Sequence, residues 1–289
     1  MTTPTLSLAF RRAFPALMDD PSPAVRSQLL KYLEAHGDSS VRYLKRMAQG
    51  ESRYHAMMAR QYLQQMKVRD PIEDCLQFIH SLNYELETGT FLLSRTVSVH
   101  FDAVAISLQL DQMAARAREL FTSPMTIREK CRILNRVIFH EYGFRGQTGD
   151  GHDPHLSLIS EILFSKRGGP LGLALIYLFL AERCRLPLEP VYFPGHFFIG
   201  CYHEERPFFI DVMEKGLFRD AENILHVTQS DLFSPDLARL APSPVREVLS
   251  RLCKTLMRAY ARSGEMLQAQ LFEHFVQEFE RTHRDHAER

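Results

Sequence analysis

Leu171 to Ala181 reads LGLALIYLFLA, an apolar run broken only by the hydroxyl of Tyr177. It is too short to cross a bilayer, which takes about 20 such residues. A helix that is apolar all round needs protein on every side. The chain must therefore build a core around this run. Gly168-Gly169-Pro170 stands directly before it. Proline suits the first turn of a helix, where its fixed φ is already helical and its missing N–H is not needed. Pro187 marks the far limit. The expectation is a buried helix that starts at Pro170.

The rest of the composition agrees with a folded chain and narrows its partners. Hydrophobic residues make up 45% of the 289 and charged residues 24%, ordinary values for a globular protein. The formal net charge is zero, so no global field favours nucleic acid or an anionic membrane. The cysteines are Cys75, Cys131, Cys184, Cys201 and Cys253. They are odd in number, scattered and without a CxxC pair, which argues against a disulfide framework and a cysteine zinc site. Reduced thiols in a cytoplasmic protein are expected. The first residues lack a basic segment followed by a long apolar one, so no secretory signal is read.

Three regions are expected. Residues 1–70 read as a helical array, weakly HEAT-like. Ser22-Pro23 opens one helix, Gly37 closes it, a second is closed by Gly50, and a third spans about Ser52 to Met66. Residues 71–240 form the core. A long helix or two run from 72 to 98, with Gly89 a candidate break, and another runs from about Phe101 to Phe121. Thr126 and Glu129 form a capping box for a helix to about Glu141. A glycine-punctuated loop leads to His155. After Pro187, Val191 to Phe193, His196 to Tyr202 and Pro207 to Val212 are β-branched and aromatic and read as strands. Residues 241–289 are two helices joined at Ser263-Gly264, with a frayed polar end from Arg281. The fold class is α+β and helix-rich, with a short antiparallel sheet.

Three features carry the chemistry: Arg167-Gly168-Gly169-Pro170, then Pro194-Gly195-His196, then Phe209-Ile210-Asp211. A hairpin turn centred on Glu204-Glu205 places Phe198 opposite Asp211, with His196 diagonal to Asp211 on one face. Diagonal neighbours lie roughly 7–8 Å apart, within reach of a His–Asp hydrogen bond. A slip of one residue would separate them. A helix N-terminus aimed at a His–Asp pair is the arrangement that activates a cysteine nucleophile. Cys201 has the opposite strand parity to His196, and Cys184 lies at the far end of the apolar helix.

These residues bear a resemblance. Residues 134–146 (LNRVIFHEYGFRG), 153–163 (DPHLSLISEIL), 166–199 and 209–216 (FIDVMEKG) are similar to the transglutaminase-like core of the SirB-type bacterial proteins, found also in some F-box proteins. The match is strong over about a third of the chain and weaker over residues 86–117. It implies a papain-like core. It also implies that the enzymes' cysteine position falls at Pro170, their histidine at His196 and their aspartate at Asp211. Proline offers no nucleophilic atom and no backbone N–H. SirB-type proteins commonly carry proline here, so the chain departs from the enzymes and agrees with its subfamily. The subfamily's usual serine two residues on is Gly172, and its usual proline after Phe-Ile-Asp is Val212. The C-terminal helices, with Tyr260, Gly264 and Ala269, resemble the single tetratricopeptide-like unit that ends many SirB-type proteins.

The expected function is a non-catalytic protein-binding or regulatory module, its remnant pair His196 and Asp211 facing Pro170. The alternative is an amide-bond hydrolase or acyltransferase that uses His196 and Asp211 with another nucleophile. A weaker reading places a metal at His152, His155 and His196, with His140 and His203 near in sequence; no cofactor or metal is expected. Lys166-Arg167 could receive an anion at the helix N-terminus, though such a pair is more often solvated. The aromatic run from Tyr192 to Phe209 reads as sheet core. A protein partner is expected, and neither nucleic acid nor membrane.

Overall fold

A computed structural model describes residues 6–20, 22–50, 52–66, 70–98, 101–147, 153–193, 196–227 and 240–287. The chain divides into two units: residues 1–77 with 95–101, and residues 78–94 with 102–289.

The first unit begins with α1 (Leu8–Met18), α2 (Pro23–Ala35), α3 (Gly37–Ala48) and α4 (Arg53–Gln65). The Ser7 and Ser52 hydroxyls cap α1 and α4 by accepting the N–H of Phe10 and His55. Pro23 opens α2 as read from the sequence. Gly37, at φ +41°, turns the chain between α2 and α3. Phe14, Met18, Leu33, Leu44 and Tyr62 bury the apolar stripes of these helices against each other. Helices α5 (Pro71–His80) and α6 (Leu86–Val97) contribute to both units. The break between them falls at Ser81–Glu85, with Leu82 at positive φ, and not at Gly89. Gly89 lies inside α6, where a Cβ would stand 2.5 Å from Leu249 Cδ1 and 3.0 Å from Phe78 Cε1. The glycine serves a close approach of side chains, not a turn.

The second unit is laid around the apolar run. Its helices are α7 (Ala103–Glu119), α8 (Ile127–Asn135), α9 (Ile159–Ser165) and α10 (Pro170–Arg183). The Thr126–Glu129 capping box opens α8, and both of its reciprocal bonds are present. A π-helical turn, Arg136–Glu141, extends α8 to the expected end. Every residue of α10 from Leu171 to Ala181 is buried. It packs against α7, α8, α9 and the sheet. At its C-terminus Arg183 donates to Glu87 at 2.8 Å and to Asp111 at 2.6 Å, tying α6 and α7 to α10.

Strands β1 (Arg145–Gly146) and β2 (Arg167–Gly168) form a short parallel pair. Strands β3 (Glu189–Phe193), β4 (His196–Cys201), β5 (Phe208–Asp211) and β6 (Leu217–Arg219) form an antiparallel sheet in that order. The β4–β5 register pairs Cys201 with Phe208 and Ile199 with Ile210, as a turn centred on Glu204-Glu205 requires. Strand β6 and the helix after it, α11 (Ala221–Val227), were not anticipated. Three residues are too few for a strand pattern to be read.

The chain ends in a helical hairpin, α12 (Val245–Ser263) and α13 (Met266–Ala287), reversed at Gly264 with φ +85°. Tyr260 stacks on Phe272 at 5.7 Å. The expected frayed end is instead helical to Ala287. Phe272, Phe275 and Phe279 bury one stripe of α13, and Glu278 pairs with His80 and Arg281. These anchors hold the polar last turns in register.

Gly172, in the first turn of α10, is closed in. A Cβ there would lie 2.4 Å from Ile162 Cδ1 and 2.7 Å from the Leu156 carbonyl oxygen. Alanine would add helix propensity worth about 1 kcal/mol, but the backbone oxygen cannot move aside cheaply. Gly172→Ala is expected to destabilise the protein by about 1–3 kcal/mol. Urea denaturation checks this, and an unchanged or raised midpoint would show that the 3₁₀ turn carrying Leu156 yields.

Candidate functional site

The first turn of α10 is fixed from three directions. Gly169 N–H donates to the Leu156 carbonyl at 2.8 Å. That carbonyl belongs to a 3₁₀ turn, Pro154–Leu156, which Asp153 caps by accepting the His155 N–H. Arg145 N–H donates to the Lys166 carbonyl and Gln147 N–H to the Gly168 carbonyl, so β1 holds β2 just before the helix. Pro170 occupies the first helical position as expected. Among the described residues, the N–H groups of Leu171 and Gly172 have no acceptor. They are the free donors every helix start leaves.

This turn opens onto a cavity of about 400 Å³. Gly169, Pro170 and Leu171 form one wall, and Tyr192, His196 and Phe197 another. The structure thus brings Pro170 and His196 to one cleft. His196 is exposed and stacks on Phe198, centroids 5.8 Å apart and planes 8° apart. Pro194 and Gly195 lie outside the described residues.

Asp211 is engaged elsewhere. Its Oδ2 accepts from Arg219 Nε at 3.0 Å, and its Oδ1 from the Met213 N–H at 3.1 Å. The register puts Asp211 on the same sheet face as His196. Among the described residues, though, no hydrogen bond or ion pair joins the two. The turn after Asp211 is fixed from below. The Tyr177 hydroxyl lies 2.9 Å from Asn135 Oδ1, and Asn135 Nδ2 donates to the Gly216 carbonyl at 2.7 Å. Gly216 has φ +81°, and a Cβ there would fall 2.2 Å from Asn135 Oδ1. A residue buried in α10 thereby positions the strand that carries Asp211.

The third wall comes from α12: Arg251, Lys254, Thr255, Arg258 and Ala259. These recur at i, i+3, i+4, i+7 and i+8, one helical face. That spacing is visible in the sequence, but the sequence reading of this hairpin rests on Tyr260, Gly264 and Ala269. Ser243 places α12. Its N–H donates to the Pro190 carbonyl at 2.7 Å, and its hydroxyl accepts the Tyr192 N–H at 3.0 Å. Arg251 stands 3.2 Å over the Tyr192 ring and pairs with Glu247. Tyr192 is therefore a cleft residue and not only sheet core. Lys254 Nζ lies 3.0 Å from Glu280. Arg258 is exposed and has no carboxylate partner among the described residues. Gln147, Asp153, Leu156 and Ser157 complete the lining.

The other candidates fall away from the cleft. Lys166 lies over the Phe144 ring at 4.6 Å, and Arg167 pairs with Arg145 in the short parallel ladder. His155 faces Glu161 at 3.5 Å, and His152 lies outside the described residues. No group of three or more His, Cys, Asp or Glu among the described residues is placed to hold a metal ion.

All five cysteines are buried. Burial pushes the thiols of Cys75 and Cys131 up to about 12, and it raises those of Cys184 and Cys201 as well. A raised thiol pKa is the opposite of the activation that a nucleophilic cysteine needs. At pH 8 the folded protein is expected to react slowly with a disulfide reagent, and all its thiols quickly once unfolded in urea. A fast-reacting thiol in the folded state would contradict this.

Arg219 and Asp211 are both largely buried, their side chains 16% and 11% exposed. Arg219→Ala would leave the carboxylate without its countercharge, at a cost of about 3 kcal/mol. Arg219→Met with Asp211→Asn should cost clearly less, because no charge is left behind. Equal losses for the two variants, measured by urea denaturation, would mean that the Met213 N–H alone sustains Asp211.

A helix-rich α+β core, with a helix N-terminus facing a strand histidine, defines the transglutaminase-like class. The chain belongs to the Transglutaminase-like superfamily, whose pattern matches residues 105–254. A UPF0162 protein of Xylella fastidiosa (strain Temecula1) is 30% identical over 203 residues, 67% of this chain and 71% of the relative. Human F-box only protein 21 is 27% identical over 144 residues, 45% of this chain and 22% of its own length. Protein SirB1 of Salmonella typhimurium is 26% identical over 112 residues, 39% of this chain and 42% of its own. The SirB-type resemblance read from the sequence is thereby supported. No solved structure matches. No helix among the described residues is long and apolar enough to cross a membrane.

Proposed function

We propose that this protein is a non-catalytic transglutaminase-like module, which binds a protein partner in the cleft between the α10 N-terminus, the β3–β4 edge and α12. One observation carries the reading. Pro170 shares the cleft with His196 at the position where a nucleophile would stand, while every cysteine is buried elsewhere. The second leg of a catalytic set is also missing, since both Asp211 oxygens are occupied and His196 has no orienting carboxylate among the described residues. A general base without an oriented tautomer and a nucleophile in reach does not supply covalent catalysis. What remains is a concave surface with apolar walls and a few convergent polar groups, the ordinary make-up of a binding site. The tetratricopeptide-like hairpin supports the same reading, because α12 forms one wall of the cleft. A cytoplasmic setting fits the reduced thiols.

The test uses the site's own geometry. The native protein, treated with a fluorophosphonate and with a peptide vinyl sulfone, is expected to show no adduct by intact mass. Pro170→Cys would place a thiol at a helix N-terminus beside a histidine, which lowers thiol pKa. It is expected to be labelled by the vinyl sulfone at pH 7, and labelling should fall on addition of His196→Ala. Stoichiometric labelling of the native protein at one residue, lost in His196→Ala, would overturn the non-catalytic reading and name the nucleophile.

A further inference from the structure

The cleft has a donor surplus that the fold does not use. The N–H of Leu171, in its wall, and that of Gly172, the next residue of the turn, have no acceptor among the described residues. Ser157 lines the same cavity and is only 6% exposed, yet its hydroxyl makes no hydrogen bond among the described residues. Its oxygen is open to the cavity, where a ligand or solvent atom can meet it. Opposite stands the α12 face. Two of its cations already have carboxylates, Arg251 with Glu247 and Lys254 with Glu280. Arg258 has none. A helix start carries roughly half a positive charge. The surplus is thus one guanidinium, one helix end and one hydroxyl, with Asp153 the opposing acid on the wall. Around these lie Leu156, Leu171, Phe197 and Ala259.

We infer that the cleft receives a carboxylate borne on an apolar body, supplied by an acidic side chain or the C-terminus of a peptide segment. A phosphate dianion would want more uncompensated cation than the wall holds. A single carboxylate matches it, because guanidinium binds carboxylate through two parallel N–H donors and helix starts bind anions through backbone N–H groups. The apolar walls take the neighbouring side chains. This rests on the binding reading above and names the chemistry of its partner. It also explains why a proline at the first helical position is harmless to the site. The donors used are those of the next two residues.

The test is a titration of the ¹⁵N-labelled full chain with three probes: acetyl-Leu-Glu-Leu-amide, acetyl-Leu-Gln-Leu-amide and hexanoate. The Leu171 and Gly172 amide signals are expected to move saturably with the glutamate peptide, and the glutamine peptide to bind at least about tenfold more weakly, the worth of a charge-assisted hydrogen bond. Arg258→Gln should erase most of that difference and leave the glutamine peptide unaffected, and Ser157→Ala should weaken the glutamate peptide several-fold. Arg258 is exposed, so its variant will fold, and the dispersion of its spectrum checks this. Equal binding of the two peptides, or no movement of these two amides with any probe, overturns the carboxylate inference and leaves the binding reading intact. Hexanoate binding as tightly as the glutamate peptide keeps the carboxylate site and overturns its peptide source. Cleavage of either peptide, followed by mass, would instead defeat the non-catalytic reading while leaving the carboxylate site standing.

Discussion

The structure of the second unit follows from one constraint: α10 has no face fit for water. Each large side chain it buries contributes about 1.5–3 kcal/mol relative to exposure, and no single neighbouring layer can cover a cylinder. The chain answers with α7 and α8 on one side, the sheet on another, and α9 at the helix start. Because the body of the helix is enclosed, its ends carry everything polar. Arg183 ties the C-terminal end to Glu87 and Asp111. At the N-terminal end, Gly169 and Pro170 meet the cleft. The placement of the site is thus a by-product of burial, since only the ends of α10 reach a surface and its start is the end that meets the cleft. Tyr177, the lone polar side chain in the run, is the link by which α10 also sets the turn after Asp211.

A proline at a helix start brings no chemistry of its own but suits the architecture. A proline cannot attack, donate a proton or offer an oxyanion an N–H. It does fix the first φ of the helix and so holds the Leu171 and Gly172 donors in place. The cleft presents a helix N-terminus with a histidine in another wall. The field of that helix start acts on any anion that enters. Gly172 keeps the turn tight against Leu156.

What the sequence disclosed was mostly local. The start of α10, the capping box at Thr126, the reversal at Gly264 and the β4–β5 register each depend on a few adjacent residues with strong preferences. His196 and Pro170 could be brought to one cleft because the family pattern carried their long-range relation. Arg219 could not be assigned as the partner of Asp211, since its strand is three residues long and leaves no alternation to read. Arg258, Lys254 and Arg251 were overlooked for a different reason. A row of cations on a helix is normally a solvated face, and only the packing of α12 beside β3 turns it inward. Lys166-Arg167 shows the converse. These residues are next to the helix start in sequence, yet one lies on Phe144 and the other is held in the short parallel ladder. Adjacency along the chain does not bring this pair into the cleft lining.

The cleft also bears on the C-terminal hairpin. A lone helical hairpin leaves its apolar face uncovered. Here that face is closed from within the same unit, by the aromatic stripe of α13 against α12 and by Tyr84 and His80 against Phe279 and Glu278. The opposite face of α12 is then free to carry charge into the cleft. Removing the hairpin would take away a cavity wall together with its cations, and would leave Tyr192 without Arg251 above it. The hairpin is therefore part of the site and not an appended interaction module. Whatever enters this cleft meets the transglutaminase-like core on one side and the hairpin on the other.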